Sequence, residues 1–526
     1  MRCPKDIYGK HAKSKQKDND GYMKTRTGKA FLNMSTSLAD QIIAIVCGLI
    51  TPRLILATFG STYNGVVSSA TQFLNMINIL TLGITAATRV ALYKPLASND
   101  TLAVSSIVKA TKIYMRKVAV GVIIYAVVLC VVYPFISQSS LTPIQCAALI
   151  AIVSIGTFAN YFFGISDMTL LQAAQSTYIT NITNIIKTIT NTLCVALLIA
   201  LDCSIYTVKL GSSIVFFIAP AILSVYVKKR YSITSKCTPN DCGIKGRKAT
   251  AFHAIANVVH DNVSLVTLTF FADAKVISVY TVYYFVAGKI KSLLNVVTSG
   301  MEAAFGDMWA KGEHATLNRN FRTYEYMLFS FTAVIFSCVG VLILPFVAVY
   351  TAGVTDVNYL IPSFAVLMTI AEGMYCIRQP YLTLVYSTGS FEETKWGAAI
   401  EVIINIVVSV TLVNVVGISG VVIGTLVANT FRTVQFACYV SKKILKRSIL
   451  SVIYRFIWVI LTAGFIVALS LLVTNNIPFE VSWFGWILEA VIVFVIAVIT
   501  ALTMSVAFYR NDLISLLKIG LRIIKR

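Results

Sequence analysis

Apolar runs long enough to cross a bilayer recur almost without pause along this chain, and no other feature constrains its fold as strongly. A spanning helix needs about 20 largely apolar residues. Fourteen such stretches can be read, near 34–58, 64–92, 113–137, 143–163, 168–200, 204–227, 249–271, 276–304, 324–350, 358–386, 393–415, 417–440, 451–474 and 483–508. No soluble domain of ordinary size fits between them. Charged residues make up 13% of the chain, about half the share found in soluble proteins. The expected fold class is an all-α polytopic membrane protein with about fourteen transmembrane helices.

The formal charge of +22 follows from topology rather than from nucleic-acid binding. Even-numbered connections carry the basic residues: Lys94, Lys109 and Lys112, then Lys311, Arg319 and Arg322, then Lys395, then Lys442, Lys443, Lys446 and Arg447. Odd-numbered connections are nearly free of Lys and Arg, with Lys275 the exception. Cytoplasmic loops hold such an excess of positive charge, so both termini are expected in the cytoplasm. The segment from Met1 to Lys29 lacks the short apolar core and cleavage site of a removable signal. Eleven cysteines are scattered, mostly through apolar runs, and form no zinc set. No metal, cofactor or catalytic residue is expected.

The longest polar interruption after Phe31 is KKRYSITSKCTPNDCGIKGRK, Lys228 to Lys248. The sixth span, LGSSIVFFIAPAILSVYVKK, overlays the twelfth, IGTLVANTFRTVQFACYVSK, without a gap, so Gly211 falls on Gly424 and Tyr226 on Tyr439. The third span ends VVYPFI and the ninth ends LILPFV. These matches predict two parallel six-helix lobes, related by a pseudo-twofold axis along the membrane normal. The expected division is a basic cytoplasmic tail (1–33), an N-terminal lobe (34–227) and a cytoplasmic hinge loop (228–248). A C-terminal lobe (249–440) follows, then two extra helices with a basic tail (441–526).

Several spans are two-faced. Ser68, Thr71, Gln72, Asn75, Asn78, Thr85 and Thr88 recur at three- and four-residue steps along the second span, so they share one helical face. The eighth repeats the pattern with Tyr280, Tyr284, Lys291, Asn295, Thr298 and Glu302. The fifth offers Gln172, Gln175, Thr183, Asn184, Lys187 and Asn191. Lipid cannot satisfy such faces. They either hydrogen-bond between helices or line a wet cavity.

Charges inside spans narrow the choice. Arg53, Arg89, Lys187, Lys289, Lys291, Arg378 and Arg432 lie within the apolar runs, where each costs roughly 2.5–3.5 kcal/mol at mid-bilayer if it faces lipid. Arg53 and Arg89 are placed either to reach an interface or to enter a cavity. Lys289 and Lys291 sit mid-span and two residues apart, so they do not share a helical face; one of them, and others of the set, can instead pair with Asp261, Glu372 or Glu401. Cations from both lobes around a cavity would attract a phosphate or pyrophosphate. The candidate substrate-binding set is Arg53, Arg89, Lys289, Lys291 and Arg378, with Gln72, Asn75, Asn78 and Asn295. His260 beside Asp261 is either a satisfied buried histidine or a group that couples transport to protons.

These residues carry a resemblance. The run PRLILATFGSTYNGVVSSATQFLNMINILTLGITAATRVALYKPLA resembles the opening of Wzx-type polysaccharide flippases. FFADAKVISVYTVYYFVAGKIKSLLNVVTSGMEAAFGDMWAKGE and LLQAAQSTYI are similar to segments of the same family. That family belongs to the multidrug/oligosaccharidyl-lipid/polysaccharide exporter superfamily. The resemblance implies two lobes in a V, a central cavity lined by spans one, two, seven and eight, and a groove near spans thirteen and fourteen for a polyprenyl tail. The implied cargo is an undecaprenyl-pyrophosphate-linked oligosaccharide, turned to the outer leaflet of a bacterial inner membrane for O-antigen or capsule synthesis. The implied partners are that lipid-linked substrate, membrane lipid, a polysaccharide polymerase and glycosyltransferases, and no nucleic acid. A lipid II flippase and a multidrug antiporter are the alternatives within the superfamily. A polymerase or ligase is disfavoured by the short outer loops, and a receptor or scaffold by the opposed polar stripes.

Overall fold

A computed structural model describes residues 26–231 and 248–524. The basic tail before residue 26 and most of the expected hinge, 232–247, lie outside the described residues. Among those described, every regular element is a helix, and one isolated bridge joins Gln138 to Asp273. Ten helical stretches are long and apolar enough to cross a membrane. The chain is a multi-pass membrane protein.

The first helix, α1 (Arg26–Asn75), is two arms that meet at Gly60, whose φ of 83° turns the chain back on itself. Glycine adopts that conformation without steric cost. The returning arm is broken again by a 3₁₀ turn (Met76–Leu80) before α2 (Leu82–Ala97). After α3 (Thr101–Ile136), α4 (Pro143–Ala159) continues through a π turn (Asn160–Gly164) into α5 (Ile165–Ala173). The sequence places the end of this span near 163 and the next start near 168. The structure corrects both: a π turn bends a helix without ending it, and the reversal comes at Gln175, in the left-handed region at φ 54°. Asn33 fastens this turn, donating to the Gln175 carbonyl at 3.0 Å and accepting from the Tyr178 amide at 2.9 Å. Next come α6 (Thr177–Ala200), α7 (Ile205–Val215) and α8 (Ile218–Tyr231).

The C-terminal half comprises α9 (Lys248–Phe271), α10 (Ala274–Ala310), α11 (His314–Tyr350), α12 (Pro362–Thr388), α13 (Phe391–Val416) and α14 (Ile418–Tyr439). Of these, α9, α10 and α12 fall outside the ten apolar stretches. Each carries ionisable side chains: His260 and Asp261 on α9, Lys289 and Lys291 on α10, Glu372 and Arg378 on α12. Two long apolar helices, α15 (Leu450–Thr474) and α16 (Trp483–Phe508), pack on α11 and on each other. Their outer faces expose Ile460, Leu472, Phe484 and Val491, as lipid contact requires. A short α17 (Arg510–Ile524) closes the described chain.

Each half has its own apolar core. Ile55, Val66, Leu74, Leu149 and Val208 belong to one in the N-terminal half. Leu268, Tyr283, Phe364 and Val421 belong to one in the C-terminal half. Gly211 faces Leu198 on α6, and Gly424 faces Ser409 on α13, each on the helix preceding its own.

The halves meet chiefly where α1 runs along α10, and hydrogen bonds seal one end of that seam. Ser61 donates its amide to Asp356 Oδ2 at 2.8 Å and its hydroxyl to Oδ1 at 2.6 Å. Asn64 donates to Ser278 Oγ at 2.7 Å, and Tyr359 lies within 2.8 Å of both Ser278 and Ser61. Gly65 packs so closely on the Ala274 backbone that a side chain there would collide with its carbonyl. Each hydrogen bond contributes about 0.5–1.5 kcal/mol net, so the seal is firm only as a set.

Candidate substrate cavities and a buried charge network

Among the described residues, three neighbouring cavities share parts of their walls. The largest of them, about 540 Å³, opens within the N-terminal half and is lined by α1, α4, α6, α7 and α8. A central one of about 330 Å³ lies between the halves, with Thr51, Thr71 and Lys209 in a wall it shares with the first. A groove of about 300 Å³ between α1, α10, α11 and α16 shares Leu49, Phe285 and Phe346 with the central space. Ile45, Val286, Leu293, Leu342 and Trp486 make this groove apolar, and Lys289 is the one charged side chain in its described lining.

The polar stripe of the second span faces these spaces. Thr71, Asn75 and Asn78 line the N-terminal cavity, while Ser68, Thr71 and Gln72 line the central one. The stripe forms because residues three and four apart fall on one helical face. Two of its members also bridge elements. Asn78 accepts from the Tyr161 hydroxyl at 2.5 Å, and Gln72 donates to the Asp261 carbonyl at 3.3 Å.

The C-terminal half holds a different arrangement. Lys291 Nζ stands 3.0 Å from Glu372 Oε2 and 3.8 Å from Asp261 Oδ1. Glu401 takes Arg378 at 2.5 Å on one oxygen and Arg432 at 3.4 Å on the other. His260 Nδ1 lies 3.4 Å from the same carboxylate. The Tyr375 ring sits between the two clusters, 4.0 Å from Lys291 Nζ and 4.6 Å from the Arg378 guanidinium carbon. Counting Lys291, Arg378 and Arg432 against Asp261, Glu372 and Glu401, the network balances with His260 neutral. Buried ions persist when such pairing offsets desolvation.

Three cations near the cavities are not balanced in this way. Lys289 Nζ lies 5.3 Å from the Phe285 ring centroid, with no carboxylate at ion-pair distance among the described residues. Lys209, half-buried on α7, likewise has no described acidic partner. Lys187 donates to Asn184 Oδ1 at 3.3 Å. Asp40, on the first arm of α1, is the carboxylate in the neighbourhood of both Lys187 and Lys289.

The other residues singled out in the sequence are dispersed. Arg53 donates to the Ala352 carbonyl at 2.5 Å, satisfying a free carbonyl just past the C-terminus of α11 at the sealed end. Arg89 is half-buried on α2 and Asn295 is exposed on α10, and neither lines the three cavities. Lys291, Arg378, His260 and Asp261 belong to the balanced network. Lys209 and Asp40 escaped sequence reasoning. Lys209 carried a usable signal: Ser212 and Ser213 follow at three- and four-residue steps, so the three share a face.

No protein-family model matches the chain, and no curated protein does. Solved structures do. The chain superposes on the lipid II flippase MurJ in an inward closed conformation with a TM-score of 0.64 at 14% identity, covering 91% of this chain and 99% of that one. The fold is that of the MOP-superfamily transporters. An inward-facing MATE-family multidrug resistance transporter of that superfamily gives 0.60 at 11% identity, covering 78% of this chain and 98% of that one. The MATE multidrug transporter DinF-BH gives 0.60 at 15% identity, covering 79% of this chain and 96% of that one.

Proposed function

We propose that this protein is a transporter, a Wzx-type flippase. Its cargo is an undecaprenyl-pyrophosphate-linked oligosaccharide, carried from the cytoplasmic to the outer leaflet by alternating access during O-antigen or capsule synthesis. One observation carries the reading: an apolar groove whose one described charge is Lys289, free of a carboxylate at ion-pair distance, abuts a central cavity that presents Thr51, Ser68, Thr71, Gln72 and Lys209. A lipid-linked glycan has that sequence of chemistries. Its polyprenyl tail suits the groove beside α16, its pyrophosphate suits Lys289, and its sugars suit the carboxamides and hydroxyls beyond. The sealed end with Ser61 and Asp356 is then the outer gate in its closed state, and the basic connections face the cytoplasm of a bacterial inner membrane.

Within this reading the balanced network keeps the C-terminal half rigid, and His260 with Asp261 is the place where ion coupling would enter. Glycosyltransferases would supply the cargo and a polymerase would consume it. Lipid II flipping is the second reading, favoured by a fold likeness that extends over 91% of the chain. Export of cationic drugs fits less well, because Lys187, Lys209 and Lys289 would repel them.

Complementation separates the three. The gene is expressed in a strain lacking its polysaccharide flippase, in one depleted of its lipid II flippase, and in a drug-sensitive efflux mutant. Restored surface polysaccharide in the first strain alone is expected. Rescue of growth in the second strain, or of resistance in the third, without restored polysaccharide would overturn the proposal.

A further inference from the structure

We infer that the N-terminal cavity is a subsite for an acidic sugar, recognised through Lys187 and Lys209. This rests on the proposed flippase function only for the lipid to which the sugar is joined. The cavity, about 540 Å³, is within the usual range of small-ligand sites. Its wall carries five asparagines and both lysines, a lining suited to hydroxyls and carboxylates.

The hydrogen bonds already made there are informative. Asn78 Oδ1 accepts from Tyr161, Asn191 Oδ1 accepts from Ser212 at 2.7 Å, and Asn184 Oδ1 accepts from Lys187. The acceptor end of these three carboxamides is engaged by the protein. The amide hydrogens of Asn78 and Asn191 have no described acceptor and remain for a ligand. A site with amide donors and the Lys209 ammonium to spare selects an acceptor-rich, anionic guest.

Charge supports the same choice. The described N-terminal half has four acidic residues, Asp40, Asp100, Asp167 and Asp202. Asp100 caps α3, and Asp167 pairs with Lys112 at 2.7 Å. Asp202 lies in the exposed turn before α7. Asp40 alone stands near Lys187, and none is left for Lys209. The two lysines come from different helices, α6 and α7, and act as separate point charges. Lysine ammonium groups bind carboxylate and phosphate alike as point charges; the carboxamides around them add partners for sugar hydroxyls, so the lining as a whole suits an acidic sugar better than a bare phosphate.

The test titrates the purified full-length protein, in detergent, with trigalacturonate, maltotriose and inorganic pyrophosphate by calorimetry. A parallel titration uses undecaprenyl phosphate. Trigalacturonate is expected to bind at least about tenfold more tightly than maltotriose. Lys209→Gln and Lys187→Gln should each weaken it about tenfold or more, as for a lost charged hydrogen bond, and Lys209→Arg should retain it. Chromatographic profile and melting temperature check that each variant is folded. Equal binding of maltotriose, trigalacturonate binding insensitive to both glutamine variants, or lysine-dependent binding of pyrophosphate alone would overturn the subsite. Trigalacturonate binding without undecaprenyl phosphate binding would instead sink the lipid-carrier reading and leave the subsite standing.

Discussion

Lys291 on α10 and Glu372 on α12 form an ion pair of 3.0 Å inside the C-terminal half, with their side chains 10% and 3% exposed. The sequence leaves Lys291 either a cavity cation or the partner of an acid, and the pair makes it part of a balanced network. Breaking a buried pair from one side strands the other charge, at a cost of about 3–5 kcal/mol. Replacing both partners with apolar groups of similar volume costs far less.

Lys291→Met is therefore expected to lower the melting temperature of the detergent-solubilised protein sharply. Lys291→Met combined with Glu372→Met should recover most of the loss. Differential scanning fluorimetry measures both. A double variant as unstable as the single one would show that the two charges are not coupled.

Glu401 serves Arg378, Arg432 and His260 at once. Glu401→Gln leaves two guanidinium groups unpaired and is expected to destabilise more than Arg432→Gln. A double-mutant cycle between Glu401→Gln and Arg378→Met should return a coupling energy of about 0.5–3 kcal/mol, as for residues in direct contact. Additive losses would contradict the assignment of Glu401 as the shared partner.

The sealed end offers a mechanical test. Ser61 and Asp356 lie on opposite halves, with 2.6 Å between their side-chain oxygens. In a cysteine-free background, Ser61→Cys with Asp356→Cys should cross-link on oxidation. Transport in vesicles should fall to background and return on reduction, because a gate that must part cannot part while tied. Full transport by the cross-linked protein would show that this seam does not open during the cycle.

Much of this architecture is legible in the chain. Apolar run length marks most of the long helices, less so α9, α10 and α12, whose ionisable side chains interrupt it, and the spacing of Thr71, Asn75 and Asn78 marks a face that meets cavities. The break at Gln175 is less legible, because polar residues continue across it and the π turn at Asn160 mimics an ending. Pairing of Lys291 with Glu372, or of Arg378 with Glu401, depends on helices far apart in sequence and on packing that periodicity does not encode. Lys209 is hidden for the opposite reason. A single lysine in IYTVKLGSSIV interrupts an apolar run, and the one sequence signal is the face it shares with Ser212 and Ser213; the packing of α7 against α6 and α4 turns that face toward the cavity.

In the proposed function an apolar groove delivers a lipid-borne phosphate to Lys289. The most direct test of that delivery is leaflet exchange in proteoliposomes loaded with a fluorescent undecaprenyl-pyrophosphate-linked oligosaccharide, read by a membrane-impermeant quencher. Wild-type protein should carry the probe across, and Lys289→Gln should slow the initial rate at least about tenfold without loss of folded protein. Exchange by Lys289→Gln at the wild-type rate, or no exchange by the wild type, would contradict the account.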